Sequence, residues 1–236
     1  MPPSPREPLS LPDDANRLLQ AAQPILAQFF NFKHLVLGGG TTLSARWGHR
    51  SSFDIDLFTT SFEVTRRVHR RHAELEAAVA SHTGDLEHFC SPDRGEILFP
   101  DGGSVSWLHA PRITAPGRSR QFEPHTGLAM ETNAEILAKK LYFRIYANYD
   151  YLPRDLYDIA WAVTRAPSNT MEAATRIFNS RDRLLLANSF RHLSADTMQA
   201  KGRNRLLDPR DPELARNAIA VIREYFQRTS SINPSP

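Results

Sequence analysis

Residues 35–58 read LVLGGGTTLSARWGHRSSFDIDLF. Gly38, Gly39 and Gly40 follow an apolar run, and Asp54 and Asp56 alternate with apolar residues at the far end. A soluble core needs only the apolar flanks. Alternation along an extended strand puts Asp54 and Asp56 on one face and Ile55 on the other. Their β-carbons then lie ~6–7 Å apart, close enough for one hard divalent cation to bridge. A solvated strand face accommodates the same pattern. A glycine turn between strand and helix lets backbone amides approach a phosphate, with the field of the helix N-terminus behind them. An ordinary tight turn uses glycine too. The stretch matches neither the Walker loop nor the dinucleotide fingerprint. Arg46, His49 and Arg50 lie between turn and carboxylates, as counter-charges for a polyphosphate or for Asp54 itself.

Working outward, residues 13–29 carry Leu18, Leu19, Ala22, Ile25, Leu26 and Phe29 at helical spacing behind Asp13 and Asp14. Residues 33–37 and 53–58 read as strands with a short helix over 41–47 between them. Residues 62–82 read as one long helix whose first half holds Arg66, Arg67, Arg70 and Arg71, either a solvated face or a track for a phosphate backbone. Three short strands follow at 86–90, 96–100 and 104–108, joined by turn residues that include Asp101. The proline- and glycine-rich stretch 111–127 reads as a linker or an extended loop. Beyond it the period is helical: 134–147, a helix opened by Pro153, 184–193, and a last helix from Pro212.

Bulk properties narrow the class without fixing it. A chain of 236 residues with 41% hydrophobic content can build a sizeable core. No apolar run approaches the ~20 residues of a membrane span, and no secretory signal is visible. One cysteine, Cys90, excludes an internal disulfide and fits a reducing cytoplasm. A net charge of +3 and a pI near 9.2 lean mildly toward polyanionic partners. Cys90 reads as core, the nine histidines show no metal-ligand spacing, and Trp47, Trp107 and Trp161 read as packing residues.

Taken together, the glycine turn, the intervening cations and the strand Asp-x-Asp resemble the nucleotidyltransferase signature of the DNA-polymerase-β-like superfamily. The wording is similar to that of the AbiEii/AbiGii toxin family, with Gly39, Gly40, Thr41 and Leu43 on its first part. Gly48, His49, Arg50, Ser52, Asp54, Asp56, Leu57 and Phe58 fall on its second. A further match lies in EILAKKLYFRIYANYDYLPRDLYDIAWA, residues 135–162, where Lys140, Leu141, Arg144, Arg154, Asp155, Leu156, Tyr157 and Asp158 occupy the family's positions. Lys140 and Arg144 stand four apart on one helix face, suited to phosphate oxygens. Asp155 and Asp158 stand three apart, where carboxylates also complement a helix dipole.

The resemblance implies an α+β fold: a polymerase-β-like nucleotidyltransferase core with a mixed sheet and flanking helices, followed by a C-terminal helical bundle. Residues 1–128 would form the nucleotidyltransferase domain, and 129–236 the helical domain completing the active site. It implies a cytoplasmic, metal-dependent enzyme transferring a nucleoside monophosphate from an NTP to an RNA (tRNA) acceptor. That enzyme would be the toxin of a type IV-like toxin–antitoxin or abortive-infection system, partnered by a cognate antitoxin. An inactive nucleotide- or RNA-binding module and a protein acceptor are the alternatives. Asp54 and Asp56 would hold Mg²⁺ or Mn²⁺. Gly39, Gly40, Thr41, Arg50 and Arg144 would bind the nucleotide. Lys140 would be an exposed catalytic cation, and Asp155 would position or deprotonate the acceptor hydroxyl. The strand at 103–110 has Ser106 and His109 where many superfamily members place a third carboxylate, so either two aspartates and substrate phosphates hold the metal or a residue from the helical half completes the site, and the resemblance implies the second. Asp101 is left out of it.

Overall fold

Strand alternation around Asp56 organises the first half of the chain. The structure, a computed structural model, describes residues 7–82, 86–100, 102–115, 119–199 and 205–231, so Asp101 lies outside the described residues. It divides into two units. The first takes the chain up to Trp47, Ser52–Arg112 and a stretch ending at Thr132. The second takes Gly48–Ser51, a short stretch from Ile113, and the chain from Asn133 onward.

The first unit holds β1 (Glu7–Pro8), α1 (Asp13–Leu26), β2 (Val36–Gly38), α2 (Gly39–Trp47), β3 (Ile55–Thr59), α3 (Phe62–Arg70) and α4 (His72–Ala80). It continues with β4 (Glu87–Cys90), β5 (Arg94–Leu98), β6 (Ser104–His109), β7 (Gln121–Phe122) and β8 (Ala129–Met130). The strands form one mixed sheet in the order β1-β7-β8-β2-β3-β6-β5-β4. β2 runs antiparallel to β3, and β6 parallel to it. Leu37, Ile55, Leu57, Ile97, Val105 and Trp107 are fully buried on one face, against Leu19, Ala22 and Leu26 of α1, Val68 of α3 and Leu75 of α4. Burying each such large side chain stabilises the unit by about 1.5–3 kcal/mol. The opposite face carries Gly38 and the half-buried Asp56, Phe58, Glu96 and Ser106, fixed there by strict two-residue alternation.

The expected α+β class holds, with differences in detail. The helix over 62–82 breaks at Arg71, whose backbone leaves the helical region (φ −103°, ψ 31°). Its guanidinium lies 4.7 Å from the Phe29 ring centre, pairs with Glu74, and donates to the Gln28 carbonyl. The break lets α3 bury Thr65 and Val68 while α4 buries Leu75, Ala78 and Val79. The proposed linker at 111–127 contains β7, which together with β1 and β8 is only two residues long. A two-residue strand carries no alternation to read.

The second unit is helical: α5 (Asn133–Lys139), a π-helical segment (Lys140–Tyr146), α6 (Pro153–Thr164), α7 (Ser168–Thr175), α8 (Ser180–Ser189) and α9 (Pro212–Ser231). Pro153 opens α6 at its first turn, where no N–H is needed. α8 begins earlier than its apolar residues suggest, because Asn179 and Asp182 form a reciprocal capping box. The apolar pattern does not mark α7. The helix expected over 134–147 changes to π geometry at Lys140.

Gly95 of β5 backs directly onto the Trp107 ring, and a β-carbon there would overlap it. Gly95→Ala is expected to cost about 1–3 kcal/mol through overpacking. Urea unfolding followed by Trp fluorescence checks this; an unchanged midpoint would show that the ring has room to move.

Candidate active site

The acidic pair is held by the strand beside it. Asp54 stands just before β3, and its Oδ1 accepts hydrogen bonds from the Ser104 backbone N–H (3.2 Å) and hydroxyl (3.4 Å). Asp56 Oδ1 accepts from the Ser106 hydroxyl at 3.0 Å. Parallel register makes Ser106 the direct partner of Asp56, so alternate serines on β6 meet alternate aspartates on β3. A search of this strand for a third acid misses its serines. The shared spacing of SVS and DID is the signal that marks them.

The glycines serve the same carboxylates. Gly39 opens α2 with φ +70°, and the Asp56 carboxylate occupies the space its β-carbon would fill. Asp56 therefore sits against the first residue of a helix, where the field favours negative charge. Thr41, expected at the phosphates, donates its hydroxyl to the Asp54 carbonyl at 2.6 Å and lies 2.9 Å from the Ser52 hydroxyl. Its side chain pins the approach to β3, while the amides of Gly39, Gly40 and Thr41 belong to the first turn of α2. Glu131, just after β8, lays its carboxylate over Gly38 and is almost completely buried. No short-range pattern marks it in the sequence. Arg46, at the end of α2, donates to Gln121 and Ser119. Burial lowers its pKa to about 10, partly offset by the charge of Glu131.

The second unit contains a buried ionic network. Asp158 Oδ1 receives Arg50 Nε at 2.6 Å and His49 Nε2 at 2.7 Å, and its Oδ2 receives Arg50 Nη2 at 2.9 Å. The His49 ring stacks on Tyr157, with ring centres 5.6 Å apart. Lys140 Nζ bonds Asp155 Oδ1 and lies 3.3 Å from Asp158 Oδ2. Arg144 Nε lies 3.3 Å from Asp155 Oδ2. Burial alone would raise both aspartate pKa values; Arg50 and Lys140 hold Asp158 well below the usual range, and Lys140 and Arg144 hold Asp155 below it. Three cations thus face two anions.

Lys140 departs from expectation: it is only 7% exposed, so its positive charge is part of the interior. Arg50, expected beside a triphosphate, grips Asp158 through two nitrogens instead. Among the described residues no three His, Cys, Asp or Glu side chains converge as a metal cage. Of the four arginines on the 62–82 segment, Arg70 pairs with Glu63 and Arg71 with Glu74, which weakens a continuous phosphate track there.

Because both aspartate pKa values are depressed, their stabilisation is complete above the unfolded pKa of about 4 and is lost as pH falls through the lower folded values. Thermal stability should stay level from pH 7 to 5 and fall steeply below about pH 4. Asp158→Asn, which strands buried Arg50, should cost about 3–5 kcal/mol at pH 7 and flatten that acid limb. Calorimetry across pH checks both; an Asp158→Asn variant with the parental profile would contradict the network's role.

A comparison with curated proteins finds no match. Among solved structures, the chain is similar to an H. pylori protein assigned as a nucleotidyltransferase, at 16% identity and TM-score 0.45, covering 92% of this chain and 95% of that one. It is also similar to the STING-associated c-di-GMP synthase CdnE of Capnocytophaga granulosa, at 10% identity and TM-score 0.32, covering 93% and 81%. Both likenesses are loose. The family model described as "Nucleotidyl transferase AbiEii toxin, Type IV TA system" matches residues 22–228. Matched over most of its length, and carrying the glycine turn and Asp-x-Asp strand that the chemistry needs, the chain is a nucleotidyltransferase that belongs to the AbiEii toxin family.

Proposed function

We propose that this enzyme transfers a nucleoside monophosphate from an NTP to an RNA acceptor, tRNA foremost, as the toxin of a type IV toxin–antitoxin pair with a cognate antitoxin. The observation that carries the reading is the Asp54–Asp56 pair, aimed by Ser104 and Ser106, with Asp56 set at the first turn of α2. Two carboxylates without a third suit Mg²⁺ or Mn²⁺, since Mg²⁺ takes one or two carboxylates and completes its shell with waters and substrate phosphates. Asp54 and Asp56 would hold such a cation, which would supply positive charge to the triphosphate and the pyrophosphate leaving group.

In the transfer, the acceptor hydroxyl oxygen forms a bond to the α-phosphorus, the α–β bridging bond breaks, and pyrophosphate leaves. The hydroxyl proton passes to a base or to solvent. The amides of Gly39, Gly40 and Thr41 cradle phosphate oxygens. Lys140 and Arg144, the cations of the second motif, carry charge of the kind that phosphate oxygens require. Arg50 acts indirectly, by holding Asp158 against Lys140. Asp155, fully buried and with its pKa lowered, is too weak a base to remove the acceptor proton; its carboxylate positions Lys140 and Arg144.

Asp54→Asn and Asp56→Asn should each abolish transfer of label from α-labelled NTPs into total RNA, with thermal stability close to that of the parent. Ser106→Ala should lower the turnover number about tenfold or more while leaving the KM for NTP within a few-fold, because it misaims Asp56. Label entering protein rather than RNA would replace the acceptor, and full activity in the Asp54→Asn variant would overturn the site. Lys140→Ala should lose both transfer and stability, because it leaves Asp155 and Asp158 buried with one cation fewer.

A further inference from the structure

Four of the chain's six tyrosines fall within ten residues: Tyr142, Tyr146, Tyr149 and Tyr151. Tyr142 and Tyr146 stand four apart on the segment 140–146, and Tyr149 follows just past the end of the helical turns. A core stripe would be buried, but Tyr142 is 39% and Tyr149 69% exposed. Tyr142 and Tyr146 lie nearly parallel, with ring centres 6.0 Å apart and planes at 23°. Phe178 backs both rings, at 6.4 and 5.6 Å, and the Tyr146 hydroxyl donates to Asp182 at 2.7 Å. The platform is thereby braced from behind while its outer ring stays open.

The backbone beneath it is unusual twice over. Residues 140–146 are π-helical, a geometry that is rare and concentrated at functional sites. Tyr149 has φ +54°, a region bulky side chains avoid; the turn is fixed by Tyr149 N–H donating to Ile145 O and Asp150 N–H to Arg144 O. Such strain invites a functional explanation.

Charge selects the occupant. The residues of the second unit carry 17 Lys+Arg against 11 Asp+Glu, a net +6, while those of the first carry 12 against 15, a net −3. The mild excess of the whole chain hides this asymmetry. Around the stripe, Arg144 rises from the same segment, and Arg181 on α8 is exposed and near enough to act on the Tyr146 phenol. The local anions include Asp150 and the buried Asp155, both beside Arg144, and Asp182, which is engaged by Tyr146. Open aromatic faces flanked by arginines on a basic unit are what unpaired bases and their phosphates require.

We propose that the Tyr142–Tyr146 platform and the neighbouring Tyr149 bind a single-stranded segment of nucleic acid, stacking its unpaired bases on Tyr142 and Tyr149 while Arg181 meets its phosphates. The proposal deepens the reading that the acceptor is RNA and rests on it for biological meaning. It also moves the RNA contact from the arginines of α3 to the helical unit.

The test uses the full chain and a short fluorescein-labelled single-stranded oligoribonucleotide, beside the blunt duplex of the same sequence, with anisotropy read at low and moderate salt. Tyr142→Ala and Tyr149→Ala should each weaken single-strand binding about tenfold or more, and Tyr142→Phe should retain it. Arg181→Gln should weaken binding and make it less salt-dependent. Both tyrosines are exposed, so melting temperatures should barely move. Parental affinity in both alanine variants, equal loss on the duplex, or a Tyr142→Phe variant as weak as Tyr142→Ala would each overturn the stacking face. Loss of a protein partner with RNA binding intact would reassign it to protein. Transfer assays separate the two readings: a Tyr142→Ala variant that binds RNA poorly while the parent labels RNA supports both. A parent that labels only protein ends the RNA-acceptor reading even where the oligonucleotide binds.

Discussion

Two carboxylates on one half-buried strand face repel each other and lose hydration, so everything around them must supply compensation. The first unit does so with elements that cost little. A parallel neighbour offers serines at matching intervals, and a helix begins against Asp56. The helix can begin there only because residue 39 lacks a β-carbon and adopts a positive φ. Glycine turn and acidic strand are thus one device. The apolar face of the sheet, sealed by α1, α3 and α4, keeps β3 rigid enough to hold both acids in place.

The helical unit solves a different electrostatic problem. Asp155 and Asp158 are fully buried on α6, and each is tolerable only through its cations. Arg50 reaches Asp158 because Gly48–Ser51, which lies between α2 and β3 in sequence, packs within the second unit. The Gly-His-Arg portion of the first motif is therefore a partner of the Arg-Asp-Leu-Tyr-Asp portion of the second.

Ionic partners also explain why residues that look alike in sequence take different roles. Lys140 and Arg144 are four apart, yet the first is interior and the second partly open. Asp155 contacts Lys140 and Arg144, whereas Asp158 is held by Arg50, His49 and Lys140.

The sequence by itself determined the α+β class, the strand bearing Asp54 and Asp56, the glycine turn, and the two motifs that mark the family. These are local patterns: two-residue alternation, helical periodicity and contiguous spacing all act within a few residues. Only the tertiary structure decided that Ser104 and Ser106 aim the aspartates, that Glu131 lies over Gly38, and that Arg50 grips a carboxylate 108 residues away. It also decided that Lys140 is buried, that α3 and α4 are separate, and that the short strands β1, β7 and β8 exist at all. The reason is the same throughout. Register, burial and ion pairing depend on what lies opposite in space, and a linear pattern carries no record of its partner.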